Sequence, residues 1–254
     1  MKKVCVFIIY VCAFLAQGFA QDNSDSLKSQ ADSAYVKEDY LGAAELYEQI
    51  LATEGEAAEI YYNLGNSYYK AEKMAHAILN YERALLLDPG NADIRFNLEL
   101  ARSKTVDKES EISQVFFVIW FKAVTNLMNE AGWAKVAIIA FLILLGGIAA
   151  YIFSKTLLIR KVGFIVAACM LAVCVLANVF ASVQKSKMQH RVNAVVMSAS
   201  LTVRSTPNES GTELFVLHEG RRVSIKDDTM KEWKEIQLED GNAGWVPVSA
   251  IEII

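Results

Sequence analysis

Hydrophobic and polar positions are arranged in three different ways along the chain. Over residues 24–104 apolar residues recur every three to four positions among many charged ones, the period of helices that each bury one face. Residues 136–153 and 162–183 are apolar runs without a single charge. Each is long enough to cross roughly 30 Å of hydrocarbon as a helix, and neither carries the polar face that buried soluble helices would show. From residue 192 onward the period shortens to that of strands. Residues 194–197, 201–204, 213–216, 222–225, 232–236 and 244–246 alternate in this way. Pro207-Asn208, Glu219-Gly220, Asp227-Asp228 and Asp240-Gly241-Asn242 punctuate them as turns. The pattern therefore predicts a multidomain membrane protein: an all-α region, a two-helix transmembrane hairpin (134–153 and 162–183) and an all-β small barrel (192–254).

The segments between these blocks refine the topology. Residues 1–20 have the form of a signal peptide. Lys2 and Lys3 precede an apolar stretch, and Gly18 and Ala20 stand where a signal peptidase requires small residues. The short loop 154–161 carries Lys155, Arg160 and Lys161 and no acid, which marks it as cytoplasmic. Both flanking domains then face the periplasm, and the protein belongs to the bacterial inner membrane. Residues 112–133 mix Phe116, Phe117, Trp120 and Phe121 with Lys122, Asn126 and Glu130. They predict an amphipathic helix, either lying at the membrane-water boundary in contact with lipid or packed on the repeat region. Asn178 falls near the outer end of its helix, where it can meet water.

Internal similarity organises the first region. Residues 58–91 read AEIYYNLGNSYYKAEKMAHAILNYERALLLDPGN, and a shift of 34 residues aligns a weaker copy at 24–57. Ala31, Ala34, Tyr40, Ala43 and Tyr47 of that copy match Gly65, Tyr68, Met74, Ala77 and Tyr81. Residues 92–104 repeat only the first helix, as a cap, so the region spans 24–108. The second copy closely resembles a tetratricopeptide repeat, through Tyr61, Leu64, Gly65, Tyr68, Ala77, Tyr81, Ala84 and Pro89. That resemblance implies an array that binds a protein segment on a concave face of first helices. By position, Lys28, Asp32, Tyr35, Tyr62, Asn66, Tyr69 and Phe96 would line it. Asp32 and Asp93 bring negative charge to this region and argue against a carboxylate-binding groove. So short an array is expected to be completed by the helix at 112–131, by a second copy or by a partner.

The last region resembles a bacterial SH3-like domain in residues 201–207, His218-Glu219-Gly220, Trp233 and residues 241–247. Trp233 and Trp245 are either an aromatic ligand platform or barrel core.

Composition adds exclusions. Acidic residues outnumber basic ones before residue 112, which opposes nucleic acid as a partner. Of the four cysteines, Cys5, Cys12, Cys169 and Cys174, all lie in apolar blocks, where they read as small buried apolar residues and offer no disulfide or exported thiol chemistry. His76, His190 and His218 have no metal-ligand spacing, and no nucleophile with a base or phosphate-cradling loop stands out. No catalytic residue, metal or cofactor is assigned, and the protein is read as not an enzyme. The order of signal, repeats, two membrane helices and SH3-like domain resembles the E-type component of the Bacteroides aerotolerance (Bat) proteins. The resemblance implies as partners other Bat-type membrane proteins with von Willebrand A domains and, indirectly, a MoxR-type ATPase. The function expected is a periplasmic scaffold in an envelope aerotolerance or stress complex. The alternative is a cell-wall sensor or tether reading peptidoglycan through the SH3-like domain.

Overall fold

The computed structural model describes residues 26–108 and 115–254. The expected signal segment, with Cys5 and Cys12, lies outside the described residues, as do the start of the first copy and residues 112–114. The chain divides into two units, one of residues 26–84, 93–108 and 193–254, the other of residues 85–92 and 115–192.

The described residues begin with five helices: α1 (residues 26–36), α2 (Tyr40–Glu54), α3 (Ala58–Lys70), α4 (Met74–Leu87) and α5 (Ala92–Ser103). The 34-residue period is written into the backbone as well as the side chains. Glu38 and Glu72, 34 positions apart (72 − 38), are the two non-glycine residues with positive φ among the described residues, at 64° and 60°. Asp39 N–H donates to Ala34 O at 3.0 Å, and Lys73 N–H donates to Tyr68 O at 2.9 Å. Each first helix thus ends on a left-handed residue whose follower reaches back five positions, the Schellman stop. Asp39 then caps α2 by accepting from Gly42 N–H at 3.0 Å. Gly55 ends α2 at φ 90°, ψ −169°, a conformation open only to glycine. Ala31, Ala43, Ala77 and Ala84 are fully buried, the small residues that let helices cross closely. At Gly65 a Cβ would lie 2.7 Å from the Tyr81 ring, so α3 and α4 approach through a position no larger residue fits.

Seven antiparallel strands follow residue 192: β1 (Asn193–Val196), β2 (Ser200–Arg204), β3 (Glu213–His218), β4 (Arg222–Asp227), β5 (Trp233–Gln237), β6 (Ala243–Pro247) and β7 (Ile251–Ile253). They pair in the order β3-β2-β6-β5-β4-β1-β7. The last strand departs from the six read in the sequence. It has three residues and follows a 3-10 turn, Val248–Ala250, too short for alternation to register. Ala194, Val196, Leu201, Val203, Leu217, Val223, Ile236 and Val246 form the core of this sheet.

The sheet and the helical array belong to one unit, and specific bonds join them. Asp107 Oδ2 accepts from His218 N–H at 2.7 Å and its Oδ1 lies 2.9 Å from His218 Nδ1. Arg221 Nη1 donates to Lys108 O at 2.7 Å. Arg83 Nη2 donates to Ile253 O at 2.6 Å and to Glu252 at 3.0 Å. Gly220, at φ +82°, presses so closely that a Cβ would lie 2.7 Å from Thr105 and 2.9 Å from Ile78. The array's neighbour here is therefore the chain's own sheet, which the repeat pattern does not announce.

The second unit contains α6 (Phe116–Thr125), α7 (Glu130–Phe153) and α8 (Leu157–Gln189). Both α7 and α8 are long and apolar enough to cross a membrane. Their boundaries differ from the expected ones. The helix expected at 112–133 stops at Thr125, and Asn129 starts α7 by accepting from Gly132 N–H at 2.9 Å, so Trp133 belongs to α7. The expected loop 154–161 shrinks to residues 154–156, because Leu157-Leu158-Ile159-Arg160-Lys161 are helix formers with no breaker among them. Arg160 and Lys161 thus sit in the first turns of α8. At the hairpin's closest approach Gly147 faces Gly163, where a Cβ on either would lie under 3.0 Å from the other's carbonyl oxygen. Cys169 is exposed and Cys174 half-exposed on this unit; neither is the buried small residue expected, because the hairpin has only one packed seam. Asn178 satisfies itself by donating to Cys174 O at 2.8 Å, within its own helix.

Candidate functional site

The array's first helices carry a cavity of about 360 Å³ lined by Tyr35, Tyr62, Asn66, Tyr69, Lys70, Tyr81, Asn97 and Leu100. Four of the residues expected in the groove, Tyr35, Tyr62, Asn66 and Tyr69, come together there. The other three do not line it. Lys28 Nζ lies 2.6 Å from Glu59 Oε1. Asp32 Oδ1 accepts from Tyr47 OH at 2.5 Å. Phe96 is 69% exposed, and Leu100, one helical turn later, takes the lining position.

A repeated hydrogen bond organises the site. Tyr81 OH donates to Asn66 Oδ1 at 2.8 Å, the counterpart 34 residues on of the bond between Tyr47 and Asp32. In each repeat a second-helix tyrosine therefore fixes a first-helix polar residue. Asn97 Nδ2 then bridges Asn66 Oδ1 and Tyr62 OH, both at 3.0 Å. With Asn66 Oδ1 accepting twice, its amide nitrogen is left to donate outward, and the Tyr62 ring is held in place. Lys104 Nζ stands 4.2 Å from the centre of the Tyr69 ring, a cation–π contact. Burial pushes the Tyr81 and Tyr47 hydroxyls well above the usual tyrosine range; neighbouring tyrosines add to this at Tyr81 and the Asp32 bond at Tyr47. Both therefore stay protonated donors. The groove thus offers ring faces for apolar side chains and amides for a peptide backbone.

Tyr81, Lys70, Asn97 and Leu100 were not legible as lining residues. Tyr81 reads as a core signature position on a second helix, and its 1% exposure agrees with that, yet it also lines the cavity. Asn97 lies beside the matched Leu98, and nothing in the spacing announces its reach across two helices.

Residues 58–91 match the tetratricopeptide repeat family model. This stretch of the chain is a tetratricopeptide repeat. Such repeats are typically protein-interaction modules without enzymatic activity. Among solved structures, the chain is similar to the crystal structure of the Sgt2 TPR domain from Aspergillus fumigatus, with 24% identity and a TM-score of 0.31. The match covers 41% of this chain and 61% of that one. No curated protein matches the chain.

The two tryptophans occupy a second surface. Trp233 pairs with Pro247, and Trp245 with both Glu235 and Arg204, whereas core Val246 pairs with Lys234 and core Ile236 with Gly244. Because side chains alternate along a strand, Trp233 and Trp245 share the face opposite the core. The core reading of these residues is corrected: both are half-buried and outside the core cluster. Arg204, on the same face, donates to Gly211 O at 2.9 Å and so braces the turn between β2 and β3.

Proposed function

We propose that this protein is a membrane-anchored scaffold of the bacterial inner membrane whose repeat groove holds a segment of a partner protein on the periplasmic side. The observation that carries this reading is the pre-organised cavity of Tyr35, Tyr62, Tyr69, Asn66 and Asn97. Fixed rings and amides lose little freedom when a peptide docks. Two apolar helices lie between the array and the sheet in sequence, and array and sheet form one unit, which favours both lying on the same side of the membrane. The basic hairpin turn then faces the cytoplasm by the positive-inside rule.

The sheet domain, with its 3-10 turn before a short last strand, is read as SH3-like. The partners this reading expects are Bat-type membrane proteins with von Willebrand A domains, coupled indirectly to a MoxR-type ATPase. Affinity purification from crosslinked membranes tests it. Recovery of those proteins, lost on Tyr62→Ala with Tyr69→Ala but kept on Trp233→Ala with Trp245→Ala, is the expected outcome. Equal recovery with the groove altered would sink it. A second reading, a tether to peptidoglycan, is favoured by Trp233 and Trp245 sharing the sheet's outer face. It requires retention on isolated peptidoglycan that the tryptophan pair abolishes.

A further inference from the structure

The turn of the α7–α8 hairpin holds an open pocket of about 560 Å³ lined by Tyr151, Leu157, Arg160, Lys161, Phe164 and Ile165. Its composition is unusual for a protein surface, since four large apolar or aromatic walls meet two cations. The Arg160 guanidinium carbon lies 5.4 Å from the centre of the Tyr151 ring. Stacking on a ring face leaves the guanidinium edges free to donate. Lys155 adds a third positive charge beside the turn, and the sequence contains no Asp or Glu between Glu130 and Glu209. The three cations therefore have no acidic residue nearby in sequence to balance them.

The direction of the side chains sharpens this. On an α-helix side chains lean toward the N-terminus, so Arg160 and Lys161 carry their charges back toward residues 154–156. Their aliphatic stems cover apolar surface while the charged ends stay at the turn. The apolar walls run on into exposed Ile148 and Ile152 along α7. A free inorganic anion would meet the cations and leave the walls bare. A ligand with an anionic head and hydrocarbon chains meets both.

We propose that this pocket binds the headgroup of an anionic membrane phospholipid, with the phosphate at Arg160 and Lys161 and the acyl chains along Tyr151, Phe164 and Ile165. The proposal rests on the membrane-spanning reading of α7 and α8.

The test uses the full chain reconstituted in nanodiscs of phosphatidylcholine with a minor share of phosphatidylglycerol. Native mass spectrometry after detergent exchange then counts the lipids retained. The expected result is enrichment of phosphatidylglycerol, reduced about fivefold for each of Arg160→Gln and Lys161→Gln. Lys135→Gln and Lys185→Gln, at the other end of the hairpin, should leave it unchanged. Ten-millimolar-range inorganic phosphate, on the order of bulk ionic screening concentrations, should not displace the lipid. Three results would overturn the proposal: equal retention of both lipids, an equal loss from the far pair of lysines, or displacement by phosphate. If alkaline carbonate strips the chain from membranes, the spanning reading fails and the lipid site with it. A chain that resists stripping yet shows no lipid preference overturns the lipid site alone.

Discussion

Replacing Asp107 with alanine should open the seam between array and sheet. Asp107 is the carboxylate that holds His218 by its backbone N–H at 2.7 Å and faces its ring nitrogen at 2.9 Å. The Asp107 side chain is 20% exposed and that of His218 36%. Removing the carboxylate leaves a part-buried N–H without its acceptor, a loss of about 1–3 kcal/mol. The partly exposed ring contact contributes on the scale of surface pairs, about 0.2–1 kcal/mol. The seam should weaken by about 2 kcal/mol, equivalent to about thirtyfold faster amide exchange if exchange proceeds through local opening. Hydrogen exchange followed by mass spectrometry on the detergent-solubilised full chain reads this directly. Peptides covering β3, the turn through Gly220 and β4 should lose protection, while α1 and α2 should not. Asp107→Asn keeps an acceptor for the N–H and should show a smaller effect. Unchanged protection around His218 in the alanine variant would refute the view that this bond holds the two parts together. Uniform loss across the whole unit would show instead that array and sheet open only as one body.

Further outcomes follow from the repeats. Glu72→Gly should raise stability by about 0.5–1 kcal/mol, since it removes a left-handed glutamate at φ 60° and keeps the helix stop; Glu72→Ala, which keeps the strain, should bring no gain in thermal midpoint. The array should lose stability as the pH rises past about 10, because burial chiefly holds the Tyr47, Tyr68 and Tyr81 hydroxyls above the ordinary tyrosine value of about 10. A pKa higher in the folded state means full stabilisation below the unfolded value and loss above it. Circular dichroism across pH 9–12, a range bracketing the ordinary tyrosine value of about 10, should show a shallower decline for Tyr47→Phe with Tyr81→Phe than for the wild type; equal slopes would contradict the assignment.

Local patterning was sufficient for most of the elements. The helical period, the repeat and the uncharged runs can be read directly along the chain, and most elements followed from them; the three-residue β7 did not. Boundaries slipped where the sequence carries no breaker, as at Leu157-Leu158-Ile159, where the helix runs on through Arg160 and Lys161. The helix expected to reach Trp133 broke at residues 126–129, where Trp133 Nε1 and Gln184 Nε2 both donate to Thr125 O, at 3.0 and 2.8 Å. Asn129 marks the start of α7 locally, but Gln184 lies in another helix, and no local signal announces its part in holding the break.

The groove divides in the same way. That Tyr35, Tyr62, Asn66 and Tyr69 line one cavity follows from the repeat, which puts them on one face of the first helices. That Asp32 serves Tyr47, and that Asn97 ties Asn66 to Tyr62, depends on how helices far apart in sequence meet. The placing of Trp233 and Trp245 opposite the core waited on strand register, since a one-residue slip exchanges the faces of a sheet. The sequence by itself determined most of the helices and strands and both candidate membrane spans, because periodicity and apolar length are local. Only the tertiary structure decided that the sheet joins the array through Asp107, Arg221, Arg83 and Gly220. Those contacts pair residues more than a hundred positions apart, and their energy comes from geometry that no local pattern encodes.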